Sequence, residues 1–576
     1  MSRPLSPELD FNTPALRRHR QGRAVKNKLA SVGIAVGGLS IIGAVLLIFF
    51  YLLYEVAPMF VPAKVESAGH YSVPALTQDA SGQTLMLAME EQAEVALRVQ
   101  KSGDMTFFKV DSGEILKTQV LAMSGTVTAF DVNTDASRLM MFANDQGQAL
   151  MVKHNYKVTY PNDVRLITPQ VAYPYGQEAI SLFDNGDTIT DITLRDGEEA
   201  MVIVAKNEQG QLHAKRFSKE VDFLSDEVVL EEELISLPSI AGIVNQVEID
   251  QTMRWMFVLA DQRLLHVVNL EDESLAQTIT LDEVGTITSM TMLLGENSIL
   301  IGNSQGKISQ WFMARQDDKW RLSMARSFAI AKQESHNGME NQENKIQDIV
   351  SEQRRKGFFV AGEDGQLAVF HSTAHRTLLD EKLVEGDIEL LSVSPRAKDL
   401  LIETKQGEIF HFKVHNEHPE ISWASMWDEI WYEGYEKPEY IWQSSSSSSD
   451  FEPKYSLVPL AFGTLKGAFY AMLLAAPLAI AGAIYTAYFM APALRRKVKP
   501  IIELMEALPT VILGFLAGLA LAPFLENNLL GIFAILVVLP VSMLVLSIIH
   551  LWRRRRSEMS KCEYATCDNQ TGSHTS

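Results

Sequence analysis

Four long apolar stretches interrupt the mixed polar pattern of the chain, one near the amino terminus and three near the carboxyl terminus. They cover residues 29–54, 465–490, 501–524 and 529–552. If each stretch forms a helix, with a rise of about 1.5 Å per residue, its length exceeds the thickness of a bilayer's hydrocarbon core, about 30 Å. The first is too long for the apolar region of a signal peptide, and no cleavage motif follows it, so we expect a retained anchor. The pattern predicts four transmembrane helices.

Between the first two apolar stretches, short β-branched and aromatic runs alternate with Gly, Asp and Asn turns. A strand–turn–strand unit recurs, centred on Gly147, Gly210, Asp261, Gly306, Gly365 and Gly407. The stretch from Ser81 reads as a further, degenerate unit. A period of about 40–60 residues with about four strands per unit is typical of a β-propeller. The pattern predicts a propeller-like all-β domain of six or seven blades over 66–415, with a pair of β-sandwiches as the alternative.

The connector, residues 416–456, joins this region to the second apolar stretch. Trp423, Trp427 and Trp431 are spaced four apart, which places them on one face of a helix. That face could lie on the membrane surface, where indoles concentrate, or it could cap the propeller core. Six consecutive serines, 444–449, predict a flexible linker.

Basic residues flank the apolar stretches on alternating sides. They lie before the first stretch, after the second and after the fourth, whereas residues 526–528 after the third contain no base. By the positive-inside rule both chain ends are cytoplasmic, and the β-rich region lies outside. The residues that set this topology are Arg17, Arg18, Arg20, Arg495, Arg496, Lys497, Arg553, Arg554, Arg555 and Arg556.

Charge and composition exclude several classes of function. The chain has a net charge of −20, and residues 61–455 hold 34 basic and 62 acidic residues, a net charge of −28. Such a region repels polyanions, so we expect no nucleic-acid partner. The two cysteines, Cys562 and Cys567, rule out a disulfide-stapled middle region. No phosphate-binding loop, nucleophile elbow or zinc-protease motif occurs, so we expect no catalytic, cofactor or metal residues.

We also expect no metal ligands among the histidines of the β-rich region. They stand in strands or turns without a partner at ligand spacing, so we expect packed or surface side chains rather than metal ligands. The histidines concerned are His154, His213, His266, His371 and His411.

A family resemblance appears in residues 457–515. The segment reads LVPLAFGTLKG, then AAPLAI, then a short basic turn, then IIELMEALPTVILG. This order resembles the start of the permease core of phosphate ABC transporters, the inner-membrane components of binding-protein-dependent import. An anchor followed by a large β-rich insert resembles a long subgroup of that family from Gram-negative bacteria.

The resemblance implies a non-catalytic, multi-pass subunit of the bacterial inner membrane that forms part of a phosphate path. Its implied partners are a second permease subunit, a cytoplasmic ATPase subunit and a periplasmic phosphate-binding protein, besides membrane lipid. The family's cytoplasmic coupling loop has no counterpart here, so we expect an apparently truncated core. A membrane-tethered propeller scaffold or sensor is the alternative function.

Small residues, prolines and two carboxylates mark the candidate sites of the core. Glu503 and Glu506 would stand at the amino-terminal end of a membrane helix, where the helix dipole favours negative charge and nearby bases can pair with them. We interpret them as interface residues, with a direct role in transport as the alternative. The family-motif and helix-packing candidates are Gly463, Thr464, Pro477, Glu503, Glu506, Pro509, Gly514 and Gly518.

The predicted organisation has six segments. They are a basic cytoplasmic amino terminus (1–28), a transmembrane helix (29–54), the periplasmic propeller-like domain (66–415), the aromatic and poly-Ser connector (416–456), a partial permease core with three transmembrane helices (457–552) and a polar cytoplasmic tail expected to be disordered (553–576).

Overall fold

The computed structural model describes residues 14–74, 82–221, 228–281, 285–331, 344–445, 452–506 and 510–568. The chain forms two compact units, Met1–Thr464 and Leu465–Ser576. Pro509 and the serine tract from residue 446 onward lie outside the described residues.

Seven antiparallel sheets follow one another along the first unit and form a seven-bladed β-propeller. The first four blades are β2 (Thr84–Met89), β3 (Val95–Gln100), β4 (Asp104–Lys109) and β5 (Ile115–Val120); β6 (Val127–Val132), β7 (Leu139–Asn144), β8 (Gln148–Thr159), β9 (Leu166–Ala172) and the short β10 (Ile180–Ser181); β11 (Ile189–Asp196), β12 (Ala200–Asn207), β13 (Leu212–Val221) and β14 (Val228–Ile235); and β15 (Val244–Ile249), β16 (Trp255–Ala260), β17 (Leu264–Asn269) and β18 (Ser274–Thr280).

The remaining three blades complete the ring. They are β19 (Ile287–Met292), β20 (Ser298–Asn303), β21 (Lys307–Gln316) and β22 (Lys319–Ala329); β23 (Asp348–Ser351), β24 (Gly357–Ala361), β25 (Gln366–His371) and β26 (Arg376–Lys382); and β27 (Ile388–Val393), β28 (Asp399–Thr404) and β29 (Glu408–His415) together with β1 (Lys64–Ser72).

The first strand of the unit closes the last blade. β1 pairs antiparallel with β29, with Val65 opposite Val414, and so becomes the outer strand of blade 7. Tyr71 of β1 also donates its hydroxyl hydrogen to the Val110 carbonyl of blade 1 at 2.7 Å. Strands from the two ends of the domain therefore meet in one sheet, which holds the ring shut.

Second strands of the blades lie in the interior of the propeller, even where they contain polar residues. Every residue of β3, β16 and β28 is buried, because both faces of these strands pack against neighbouring sheets. Outer strands such as β5 and β18 are largely exposed. The layers between blades contain large side chains, for example Phe107 and Phe142 in one continuous cluster.

The recurring turns have the predicted conformation. The residues at all six unit centres adopt positive φ, from 51° at Asp261 to 80° at Gly407, as tight hairpins require. The degenerate unit from Ser81 is confirmed as blade 1, which brings the blade count to seven. The β-sandwich alternative is therefore wrong.

The connector differs from the single helical stripe predicted for its tryptophans. Helix α2 spans only Trp423–Trp427, and Ser422 caps its first turn by accepting from the Ser425 backbone amide at 2.9 Å. Trp431 lies beyond the helix, where its ring packs at 5.2 Å on Phe312 of blade 5. The helix ends because the backbone at Asp428 is extended, so the third indole turns toward the propeller.

Three of the remaining helices are longer than the apolar stretches that predicted them. They are α1 (Pro14–Val56) with a 3₁₀ turn (Ala57–Phe60), α3 (Val458–Ile484) with a π-helical turn (Tyr485–Phe489), α4 (Pro492–Glu506), α5 (Thr510–Leu516) with a second π-helical turn (Ala517–Leu521), α6 (Ala522–Asn527) and α7 (Leu529–Asp568). Strands β30 (Trp442–Gln443) and β31 (Lys454–Tyr455) pair in the connector.

Two boundaries differ from the predicted segments. The basic amino-terminal residues from Pro14 onward are part of α1 rather than a separate segment. Helix α7 continues through the four arginines to Asp568, where we expected a disordered tail. In both places helix-forming polar residues extend the apolar helix, because they retain helix propensity outside lipid.

Candidate functional site

The path from the propeller into α3 is fixed by backbone hydrogen bonds within the first unit. The Ser456 amide donates to the Ile441 carbonyl at 3.0 Å, and the Leu457 amide donates to the Met426 carbonyl at 2.8 Å. Helix α3 begins at the next residue, Val458. The connector therefore determines where the first core helix starts.

Gly463 and Thr464 lie in the second turn of α3. The Thr464 hydroxyl donates to the Ala461 carbonyl at 2.9 Å, so the helix itself satisfies this polar group. A Cβ atom added at Gly463 would meet nothing within 4 Å. This part of the motif presents a small, smooth surface, as close helix packing in lipid requires.

Pro477 does not break α3, which continues to Ile484 and ends in the π-helical turn Tyr485–Phe489. Arg495 of α4 donates from its guanidinium to the Ala487 carbonyl at 2.6 Å, inside that turn. The arginine therefore satisfies a carbonyl that the widened turn leaves without a normal helical partner. Single π-helical turns frequently occur at functional sites. Hydrophobic periodicity gives no signal for such a turn, so sequence reasoning missed it.

The two carboxylates lie on α4, ahead of the described part of the third apolar span. Glu503 and Glu506 lie near the end of the described part of α4 (Pro492–Glu506), and residues 507–509, between α4 and α5, lie outside the described residues. The predicted stabilisation by a helix dipole therefore stays a prediction. The predicted pairing with a nearby base is confirmed for Glu503, which lies 3.9 Å from Lys499.

The predicted start of the third apolar stretch, Ile501, lies inside α4. Residues 501–506 belong to an amphipathic helix whose first half contains Arg495, Arg496 and Lys497. Its apolar residues are continuous in sequence with the apolar stretch that follows. The described part of the third apolar span starts at Thr510, nine residues after the predicted start at Ile501.

The glycines predicted to form a packing face have no neighbour within the described residues. Gly514 lies on α5 and Gly518 in the second π-helical turn, and a Cβ atom at either would meet nothing within 4 Å. The apolar windows of all four candidate membrane spans are unburied. The predicted packing is therefore not made inside the described chain, and it stays a prediction about contact with another helix.

The structure contains four helices that are long and apolar enough to cross a membrane among the described residues. The basic residues predicted to set topology flank them, and all except the half-buried Arg495 are exposed. Arg17, Arg18 and Arg20 lie in the first two turns of α1, and Arg553–Arg556 follow the apolar part of α7. The Arg556 guanidinium stacks 5.0 Å from the Trp552 ring.

Carboxylates line the central channel of the propeller, a feature that the sequence did not predict. The channel has a volume of about 430 Å³, and Asp131, Glu248 and Asp348 of three innermost strands line it. Burial raises the pKa of Glu248 to about 8, with the charge of Asp131 as a further cause, and burial raises the pKa of Asp131 to about 7. Burial therefore favours the protonated, uncharged form of Glu248 and Asp131 over the charged form.

A second cavity, of about 480 Å³, lies where the connector meets the propeller. Lys356 and Glu433 form an ion pair of 2.6 Å at its wall, and burial raises the pKa of Glu452 to about 7. The ion pair joins the turn before β24, which contains Lys356, to Glu433 of the connector. It acts as a structural clamp, since both partners are nearly enclosed by protein.

The histidines are packed or bonded as predicted. Burial lowers the pKa of His154 and of His371 to about 3, so both are neutral. His411 lies 2.9 Å from Asp399, and His266 contacts the Ala241 carbonyl at 2.9 Å. Within the described residues no group of three or more His, Cys, Asp or Glu side chains is arranged to hold a metal ion.

Comparison with known proteins gives one curated relative and a structural likeness. A 90-residue stretch, 16% of this chain, is 37% identical to the probable ABC transporter permease protein YqgH of Bacillus subtilis (strain 168). That match covers 29% of the relative, so the chain spans less than a third of its length. No family model matches the chain.

The structural likeness is to the β-propeller domain of Cps50 (Swd1) from Myceliophteria thermophila. It covers 61% of this chain and all of that domain, at 8% identity and a TM-score of 0.41. The propeller assignment depends on the sheet topology and not on this likeness. Taken together, the chain is a propeller-containing protein with four apolar helices that associate with a membrane and a stretch similar to an ABC transporter permease.

Proposed function

We propose that this chain is an inner-membrane permease subunit of an ATP-driven phosphate importer, in which its helices form part of the translocation path. The single observation behind this proposal is the 37% identity to a probable ABC permease over 90 residues. Phosphate as the transported ion comes from the resemblance of residues 457–515 to phosphate permeases. The chain itself performs no catalysis, because a separate subunit hydrolyses ATP.

The exposed apolar helices support an assembly with other subunits. The apolar windows of the four candidate spans are unburied, and Gly514 and Gly518 leave a smooth surface on one of them. Small-residue surfaces let a neighbouring helix approach closely in lipid. The proposed partners are a second permease subunit, a cytoplasmic ATPase and a periplasmic phosphate-binding protein.

The proposed orientation places both chain ends in the cytoplasm and the propeller in the periplasm. The exposed arginines on α1, on α4 and after the apolar part of α7 support it, since basic residues stay on the cytoplasmic side. The acidic propeller then faces the compartment from which phosphate arrives. In this arrangement the binding protein, and not the propeller, captures the anion.

Transport is tested by co-expressing four components in bacteria without their own phosphate uptake systems: this chain, the second permease, the ATPase and the binding protein. We expect ATP-dependent uptake of radiolabelled phosphate only when all four are present. The chain with the ATPase alone gives none. Uptake that persists without this chain contradicts the proposal.

A matched pair of variants refines that test. Arg495→Gln removes the donor to the π-helical turn of α3, whereas Arg496→Gln removes the same charge one residue later. If the turn belongs to the path, Arg495→Gln lowers uptake well below Arg496→Gln at equal membrane abundance. Equal uptake by the two variants removes the turn from the mechanism.

A membrane-tethered propeller scaffold or sensor is the second candidate. The seven-bladed domain favours it, because blades and their connector make up most of the chain and leave large surfaces for a partner. A scaffold predicts unchanged uptake without the chain and altered recovery of other membrane proteins with the tagged propeller. The uptake experiment above separates the two functions.

A further inference from the structure

The connector presents exposed aromatic side chains on its outer side. Trp423 and Trp427, one turn apart on α2, are 70% and 46% exposed, and Tyr440 and Trp442 are about as exposed as Trp427. We call these four residues, together with Phe60, the aromatic patch. Exposed indoles in such number are unusual on a soluble surface, because burial of each ring is strongly favourable.

The amino-terminal membrane helix leads directly to this patch. Apolar helix α1 ends at Val56, the 3₁₀ turn Ala57–Phe60 follows, and the Phe60 ring stacks on Trp423 with centroids 6.0 Å apart. Only a few residues therefore separate Trp423 from the end of a helix that is apolar enough to cross a bilayer.

The second membrane helix of the chain leads away from the same patch. The Leu457 amide donates to the carbonyl of Met426 within α2, one residue before α3 begins. Trp442 packs at 5.9 Å on Tyr455, which is three residues before that helix. The patch thus lies at the two junctions that the propeller and its connector make with apolar helices, the end of α1 and the start of α3.

The opposite side of the connector is already occupied by the propeller. Trp431 packs on Phe312 and donates its indole N–H to the Tyr435 carbonyl at 2.8 Å. Arg376 of blade 6 donates to the Ile421 carbonyl at 3.0 Å, just before α2. The connector therefore has one side fixed on the blades and one side open.

From this continuity we infer that the aromatic patch lies in the interfacial layer of the bilayer, among the lipid headgroups, and holds the propeller against the membrane surface. Trp and Tyr concentrate at this depth because their rings prefer an apolar setting while their N–H and O–H groups stay hydrated. The inference needs the apolar helices to span a bilayer, and it does not depend on phosphate transport.

Local charge indicates how the patch binds lipid. Asp428 and Glu429 are exposed directly after α2, so anionic headgroups gain no attraction there. Insertion depends on ring burial, and we expect it equally in vesicles of phosphatidylcholine alone and in vesicles with added phosphatidylglycerol. Raising the salt concentration leaves it unchanged.

The test uses tryptophan fluorescence of the full chain in liposomes. One quencher is a phosphatidylcholine with a nitroxide near the headgroup, and the other is aqueous iodide. Replacing both Trp423 and Trp427 with Phe should remove a large share of the lipid-quenched emission. The matched control is Trp320→Phe, since Trp320 is 42% exposed on β22 of the propeller and should account for iodide-quenched emission.

Two outcomes overturn the inference. In the first, iodide quenches Trp423 and Trp427 as fully as Trp320, which would show that the patch is open to water and not inserted in lipid. In the second, the nitroxide lipid quenches the double variant as strongly as the parent protein. Phe keeps an aromatic ring at each exposed position, and an unchanged propeller unfolding midpoint verifies the fold of the variants.

Discussion

At the scale of single residues, one buried ion pair joins the first and last blades. Arg98 of β3 and Glu403 of β28 approach to 2.6 Å with almost no exposure, although 305 residues separate them. The same guanidinium donates to the Val73 carbonyl and to the Thr84 hydroxyl, each at 2.8 Å. Every part of this contact excludes water, so loss of one partner leaves a buried charge unpaired.

We therefore expect Arg98→Met to destabilise the propeller by about 3–5 kcal/mol, the usual cost of breaking one side of a buried pair. Urea unfolding of the solubilised protein, followed by near-ultraviolet circular dichroism, measures the change. Lys109→Met is the control, because Lys109 and Glu114 form an exposed pair of 2.6 Å. A similar loss in both variants would show that burial does not decide the effect.

Two hairpin glycines make a second comparison at this scale. Gly365 and Gly407 both have φ near 80°, but a Cβ atom at Gly365 would overlap the Val384 carbonyl, whereas one at Gly407 meets nothing within 4 Å. Gly407→Ala should cost about 1–2 kcal/mol from the left-handed backbone alone. Gly365→Ala should cost clearly more, because the backbone must also move. Equal unfolding midpoints for the two variants would contradict this geometry.

Glu248 makes the stability of the propeller depend on pH. Its folded-state pKa of about 8 lies above its usual value of 4.5, so folding favours the protonated form. This stabilisation is complete below pH 4.5 and is lost as pH rises through about 8. Because Glu248 keeps part of its surface in the channel, we expect a smaller effect than a fully enclosed carboxyl gives.

The thermal unfolding midpoint should therefore fall between pH 5 and pH 8, and Glu248→Gln should reduce that fall. Part of the pH dependence of the unfolding midpoint should remain in Glu248→Gln, because the pKa of Asp131 is also raised. Glu114→Gln on the exposed surface serves as the comparison. An identical pH profile for the parent and Glu248→Gln would exclude Glu248 as a source.

At the scale of elements, β1 determines whether the ring can close. It supplies the outer strand of blade 7 by pairing with β29, although in the sequence it follows shortly after α1 and is far from β29. Without β1, the apolar side chains of β29 lose a covering strand, and β29 becomes an open edge.

We expect a soluble fragment of residues 61–457 to unfold in one cooperative transition. A fragment of residues 73–457, which lacks β1, should unfold over a broader range of urea and expose β29 to hydrogen exchange. Both fragments retain Val73, so the Arg98 contact is kept. Equal protection of β29 in the two fragments would show that blade 7 is complete without β1.

At the scale of the whole molecule, the alternating basic flanks predict the side of the membrane on which each part lies. Asp318, in the β21–β22 turn, has a side chain that is 92% exposed, and Arg20 of α1 is also exposed. With Cys562 and Cys567 replaced by serine, a single cysteine at either position reports its compartment.

In spheroplasts, a membrane-impermeant maleimide should label Asp318→Cys directly and Arg20→Cys only after permeabilisation. Because both positions are exposed, slow labelling of either cysteine cannot be attributed to burial in the protein. Labelling of Arg20→Cys in intact spheroplasts, with Asp318→Cys protected, would reverse the proposed topology.

The sequence by itself determined the features that depend on neighbouring residues. Apolar length located the four membrane helices, and the strand–turn–strand rhythm located the hairpins, because their turns need positive φ at residues such as Gly306. Local backbone conformation and hydropathy are properties of short segments, so they can be recognised without knowing what lies nearby.

Tertiary structure alone decided how distant segments meet. The pairing of β1 with β29, the Arg98–Glu403 contact and the turn of Trp431 toward Phe312 depend on which strands become neighbours. The same is true of Arg495 at the π-helical turn of α3. Periodicity shows which face of a segment is apolar, but the partner of that face is set by packing between residues far apart in the chain.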